Sequence, residues 1–258
     1  PPAYLSYARG RRAARPHPLG QCALSPCAPG GMRHHSRTMQ QLGPFLAIGG
    51  VIALIAGIVY LAWLMEKKRT EAMTAWAQSH GYVFEGATPQ LIDELSAFKL
   101  FNQGRARTAK NTMRGSKEPG AVRICDYQFT TGSGKHQQVH QQTIVVLKTP
   151  GRMAPHFFLR RQRALFDALG KVFGGQDINF EDDQAFSKAY VLQTNGDEQQ
   201  LRGFMSPGLR DMLTKMSDRN LLMEVVGDTL VLHLGRRLKP EQLEGLVADA
   251  VNIRRNWS

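Results

Sequence analysis

The longest apolar stretch of the chain runs from Gly43 to Met65 and contains no charged residue and no Asn, Gln, Ser or Thr. As a helix at ~1.5 Å per residue it spans about 34 Å, against a hydrocarbon core of roughly 30 Å. A helix of this length buried in a soluble protein carries a polar face. A signal-peptide core is shorter and ends at a small-residue cleavage site. The pattern therefore predicts a transmembrane helix over residues 43–65, with Tyr60 and Trp63 near one end, where aromatic rings favour the interface. Glu66-Lys67-Lys68-Arg69 follows. Ala72, Met73, Trp76 and Ala77 then repeat at helical spacing, so a juxtamembrane helix over residues 66–81 is expected to run to Ser79 and stop at His80-Gly81.

Residues 82–258 read as a soluble domain that changes period several times. Tyr82 to Glu85 predicts a short strand, and Thr88-Pro89 opens a short helix through about Ala97. Arg105 to Met113, Val122 to Thr130 and Val139 to Lys148 predict strands, the last two joined as a hairpin by Thr131-Gly132-Ser133-Gly134. His156 to Arg160 and Ser187 to Gln193 predict two more. Asp197 with Gln200 makes a capping box, and Ser206-Pro207 starts a helix with Leu209, Met212, Leu213 and Met216 on one face. Leu221 to Val226 and Thr229 to Leu234 flank a two-residue Gly227-Asp228 turn. Pro240 opens a last helix whose Leu243, Leu246, Val247, Ala250 and Val251 form a clean amphipathic face. The fold class expected is α+β: one N-terminal transmembrane helix, then a mainly antiparallel sheet with flanking helices and a C-terminal amphipathic helix. Element order leaves an open sheet or a barrel, and a pleckstrin-homology-like barrel is one candidate.

Charge sharpens this picture. The net charge is +12, but six of the 33 basic residues and none of the 21 acids lie in residues 1–38, so half of the excess belongs to that tail. This distribution argues against nucleic-acid binding, which needs the charge on a folded face. The tail is rich in Pro, Gly, Arg and Ala and reads as disordered or as a mis-assigned start, with translation expected at Met39. An Arg-rich transit peptide is the alternative, which Pro16, Pro18, Pro26 and Pro29 oppose. Cys22, Cys27 and Cys125 make no disulfide framework. With a Met39 start, Lys67, Lys68 and Arg69 are the basic residues that orient the helix, and they put the domain in the cytoplasm, at an inner membrane. Gly49, Ala53 and Gly57 share one helix face and allow self-association or contact with another membrane protein.

Candidate chemistry is sparse. His136 and His140 are the best metal candidates, but on a strand they stand ~13 Å apart, too far to share one ion. Gly132-Ser133-Gly134-Lys135 lacks the spacing of a phosphate loop. The acids of Asp177-Ile178-Asn179-Phe180-Glu181-Asp182-Asp183 open like a calcium loop, but Asp182 stands where glycine is required and Lys188 where a glutamate is. Cys125 reads as core filler. No catalytic residue, cofactor or metal is assigned. Arg105, Arg107, Lys110 and Arg114, with Arg160, Arg161 and Arg163, are basic groups that suit an anionic lipid surface; Arg105 and Arg107 are expected to share a strand face.

From Asp177 to about residue 235 the order of motifs is an acidic patch, paired aromatics (Phe186, Tyr190), an acid-rich helix start with Arg202, and a proline-led helix before a hairpin. In this the chain resembles an uncharacterised bacterial family of membrane-anchored proteins, a domain of unknown function often carrying two membrane helices. The resemblance implies no activity. Three readings stay open: a membrane-tethered cytoplasmic binding or scaffold module, a hydrolase-like enzyme built from His136, His140 or the Asp177–Asp183 carboxylates, and an anionic-lipid-binding domain. An enzyme is the less expected of these.

Overall fold

The computed structural model describes residues 42–162 and 176–257. Expectations that fall on the tail, on Cys22, Cys27 and Met39, or on Arg163 lie outside the described residues. The chain forms two compact units, Pro1–Gly57 and Ile58–Ser258. Helix α1 (Leu42–Ser79) crosses their boundary. Among the described residues it is the one helix long and apolar enough to cross a membrane, and none of its most apolar window is buried.

The second unit is an α+β fold on one open, nine-stranded antiparallel sheet. Its strands are β1 (Val83–Gly86), β2 (Arg105–Lys117), β3 (Gly120–Thr131), β4 (Gln138–Lys148), β5 (Ala154–Arg161), β6 (Gln176–Ile178), β7 (Tyr190–Thr194), β8 (Leu222–Gly227) and β9 (Thr229–His233). Among the described residues they lie in the order β1-β2-β3-β4-β9-β8-β5-β7-β6, with β1 and β6 at the two ends. Of the two forms the sequence allowed, the sheet is open and not a closed barrel. Its helices among the described residues are α2 (Gln90–Glu94), α3 (Lys99–Asn102), α4 (Gln184–Ala189), α5 (Glu198–Phe204), α6 (Pro207–Lys215) and α7 (Leu243–Arg255).

Both sheet faces are covered, and the central strands show it. Val122 and Ile124 of β3 with Val145 and Leu147 of β4 join a core that also takes Met73, Trp76 and Ala77 of α1, Leu209 and Leu213 of α6, and Leu243 to Ile253 of α7. Cys125, Tyr127 and Phe129 with Ile144 and Val146 face the other way, under Leu91, Leu95, Phe98, Leu100 and Phe101 around α2 and α3. Burial on both faces turns a strand from alternating to continuously apolar, which is why Val122 to Thr130 alternates only in part.

Local signals set most boundaries. Gly81 takes φ +75 just past α1, the left-handed stop that a glycine tolerates. Asp197 caps α5 by accepting from the Gln199 and Gln200 N–H groups, and Ser206 caps α6 through Leu209 N–H. Val226 pairs with Thr229 across the two-residue turn. One strand starts later than expected: Ser187 to Ala189 are not strand. The Asp183 carboxylate accepts from Phe186 N–H at 3.0 Å, and Ser187 Oγ holds Phe180 N–H and C=O. This cap turns the chain into α4, and strand begins only at Tyr190.

Candidate functional site

A polar knot interrupts the core face of the sheet. Asp126 sits on β3 two residues beyond Ile124, on the same face, and is 4% exposed. It meets a different element in almost every direction. From α1, Arg69 donates Nε to Oδ2 and Nη2 to Oδ1, both at 2.7 Å. From β2, Asn111 Nδ2 donates at 2.8 Å. From β4, Thr143 Oγ1 donates at 2.8 Å, while also accepting from Arg69 and from Leu238 N–H. From the loop between β9 and α7, Arg237 Nη2 donates at 3.3 Å. Arg237 in turn clamps Glu66 of α1 at 2.9 and 2.7 Å, so two acids and two guanidinium groups balance. Asn111 stands in a β-bulge, where the register shifts between Lys110 and Met113 and φ is +49. A bulge of this kind re-aims a side chain, here toward Asp126 and Thr70.

Electrostatics fix what this carboxylate does. Burial by itself raises the Asp126 pKa, but the Arg69 hydrogen bond and charge, with Asn111 and Arg237, outweigh it and hold the group below the usual carboxylate range. A carboxylate saturated by donors and depressed in pKa is a poor proton acceptor. Beside it, Glu66, Lys110, Gln128, Gln141 and Arg237 line a recess of about 180 Å³. The adjacent Cys125 points to the opposite face, and burial pushes its thiol pKa up. The arrangement is a brace: it ties α1 from Glu66 to Thr70 to three strands and a loop.

A second feature is larger. A cleft of about 560 Å³ opens between the residues before β8 and the start of α7, lined among others by Arg219, Asn220, Arg236, Glu241, Gly245 and Asp249. Arg219 pairs with Asp249; burial, against that guanidinium, raises the Asp249 pKa. The cleft is amphoteric, with charges of both signs at its rim.

The residues singled out from sequence are dispersed. His136 lies exposed in a short 3-10 turn, and His140 stacks on Phe129 at 4.7 Å and shares a hydrogen bond with Thr131. They do not converge with a carboxylate, and among the described residues no group of three or more His, Cys, Asp or Glu is placed to hold a metal ion. The acidic run is spent locally: Asp177 accepts from Gln193, while Asp182 and Asp183 hold Arg210 at 2.7 and 3.1 Å. Arg105 and Arg107 do not share a face. The register shifts between Arg105 and Thr108, with Ala106 at φ +51, and Arg107 turns to the Phe101 carbonyl on the α3 side. Arg114 pairs with Glu85, and Arg161 lies near Asp218 and Asn220. Arg160 and Arg161 are successive strand residues and so point to opposite faces. Lys67 and Lys68 are exposed, Lys67 over the Trp63 ring, whereas Arg69 is built into the brace. Gly49 and Gly57 have open space where a Cβ would stand.

Asp126 and Arg237 were missed from sequence. One signal existed: a lone acid on the core face of an apolar strand needs a partner. The partners lie 57 and 111 positions away, and nothing local names them.

No family model matches the chain, and no curated protein matches it. Among solved structures, the crystal structure of the mycobacterial trehalose monomycolate transport factor A, TtfA, is similar with a TM-score of 0.50 and 15% identity, over 72% of this chain and 92% of that one. At that identity the likeness is one of fold alone.

Proposed function

We propose that this chain is a membrane-tethered accessory or scaffold module, not an enzyme, whose folded unit sits on the cytoplasmic face of an inner membrane and holds a partner protein there. The observation that carries the reading is the brace. Of the first four polar residues after the apolar stretch, Glu66 and Arg69 are bonded to Arg237 and Asp126 inside the folded unit and so are no loose linker. A domain joined this stiffly to its anchor suits holding or transmitting position better than diffusing on a tether. The scattered His136, His140 and Asp177–Asp183 groups favour binding over hydrolysis. That the structure of similar fold is a transport factor fits an accessory role, as does the resemblance to a bacterial membrane-anchored family.

The mixed-charge cleft is the docking place this reading favours. A photo-crosslinking residue is placed at Arg236, at Glu241, and at Asp93 on the α2 side, in full-length protein in native membranes. The reading expects one discrete adduct from the cleft positions and none from Asp93. An adduct at twice the chain mass would make the partner a second copy. Adducts of equal pattern from all three positions, or turnover of a small-molecule ester or phosphate panel that tracks the purified protein, would sink the proposal.

A further inference from the structure

The brace also fixes how far the sheet reaches along α1. Glu66 borders the recess lined by Gln128 and Gln141, which bond to each other across β3 and β4. Arg69 meets Asp126 and Thr143, two residues further into both strands. Past the end of α1, Tyr82 lies on Gly115, which pairs with Val122. The helix therefore descends along the strands from residue 66 to residue 79. In the other direction, Trp63 and Tyr60 stand ~5 and ~9 Å above Glu66 at the helical rise. The β3–β4 hairpin continues three residues beyond Gln128 and Gln141, to Thr131 and Gln138, about 10 Å at the strand rise. The hairpin tip thus stands level with the stacked Tyr60–Trp63 pair, on the exposed apolar part of α1 where aromatic rings meet headgroups.

The chemistry of that tip is one-sided. No acid occurs from Lys99 to Lys117 or from Tyr127 to Thr149. Lys135 and His136 are exposed on the turn, and Val139 is 54% exposed beside them. Arg105 pairs with Thr130 and staples the turn by donating to Gly132 C=O at 2.7 Å and to Gln137 Oε1 at 3.3 Å. Both acceptors are neutral, and among the described residues no acid pairs with it. Lys67 and Lys68, also exposed, follow Glu66 on α1 and stand more than ~10 Å from that level at the helical rise, on the side away from the apolar stretch.

We propose that the β3–β4 hairpin tip, with Lys135, His136 and Arg105, is a second membrane contact that rests on anionic lipid headgroups beside α1. This rests on the reading of α1 as a membrane anchor. It differs from a general basic face: Arg114 and Arg161, which pair with acids elsewhere, take no part.

The test is hydrogen exchange of residues 131–138 in the full-length chain, reconstituted in nanodiscs of phosphatidylcholine with or without phosphatidylglycerol. The expected result is slower exchange of this segment in the anionic discs, by about fivefold for each basic contact made. The slowing is lost in roughly 0.5 M salt, where screening is complete within a few Å, and in the Lys135→Glu/His136→Glu variant, whose changes fall on exposed positions and leave the fold intact. Equal rates in the two discs overturn the proposal, whether the segment is protected or not. Failure of the chain to enter discs overturns the anchor reading itself, and this contact with it.

Discussion

Replacing Arg69 by Ala removes the two shortest bonds to a carboxylate that is 4% exposed. Breaking a buried ion pair costs about 3–5 kcal/mol, because the remaining charge keeps its desolvation without its partner. Asp126 still has Arg237 at 3.3 Å, Asn111 and Thr143, and water can enter from the neighbouring recess. The lower end applies, about 3 kcal/mol. The assay is urea unfolding of the full-length chain in mild detergent, followed by the fluorescence of the buried Trp76 and Trp257. An Asp126→Asn change completes a double-mutant cycle, and the pair should couple by about 2 kcal/mol or more. The pH dependence identifies the cause. The folded pKa of Asp126 is depressed, so the stability it contributes is full above the unfolded value near ~3.9 and is lost as pH falls through the folded value. The Arg69→Ala deficit should therefore be present at neutral pH and shrink below about pH 4. A deficit under ~0.5 kcal/mol, additive single changes, or a deficit unchanged in acid would refute the idea that this pair braces α1 to the sheet.

Two further predictions concern other positions. His233 is 4% exposed, accepts from Gly235 N–H through Nδ1, and is pushed down to about 4 by burial. Its folded pKa lies below the unfolded ~6.5, so its contribution is full above that value and is lost as pH falls toward 4. Between pH ~7.5 and ~4.5 the parent chain should lose on the order of 2–3 kcal/mol more than His233→Gln, read from urea midpoints, and parallel pH profiles would contradict this. Gly104 has φ +63, and a Cβ there would stand 2.3 Å from the Thr130 carbonyl oxygen, whereas Gly134 at φ +54 has open space. Gly104→Ala should cost at least about 2 kcal/mol and Gly134→Ala about 1 kcal/mol; equal costs would show that the close approach to β3 is not what requires glycine.

How much was legible follows from the range of each interaction. Caps and turns are local, so Asp197, Ser206, Gly81 and the Gly227-Asp228 turn could be read in place. The hairpin of β3 and β4 could also be read, because its partners lie across one turn. The bulges at Ala106 and Asn111 carry no such local signature, and without them Arg105 and Arg107 fall on one face and Asn111 points nowhere. Arg69 misled in a different way. Beside Lys67 and Lys68 it has the composition of a membrane flank, and only the arrival of β3 under the helix makes it a partner of Asp126.

By itself, then, the sequence determined the apolar helix and its continuation to Ser79, most of the strands, and the amphipathic face of α7. Each follows from periodicity or from the absence of charge within a single segment. Tertiary structure alone decided the strand order, the open sheet, the covering of both sheet faces, and the joining of Glu66, Arg69, Asp126 and Arg237 into one knot. Those outcomes depend on which distant segments meet. A charged side chain reads the same in sequence whether it ends in solvent or against a buried counter-charge, and burial, which follows only from the assembled sheet, separates the two.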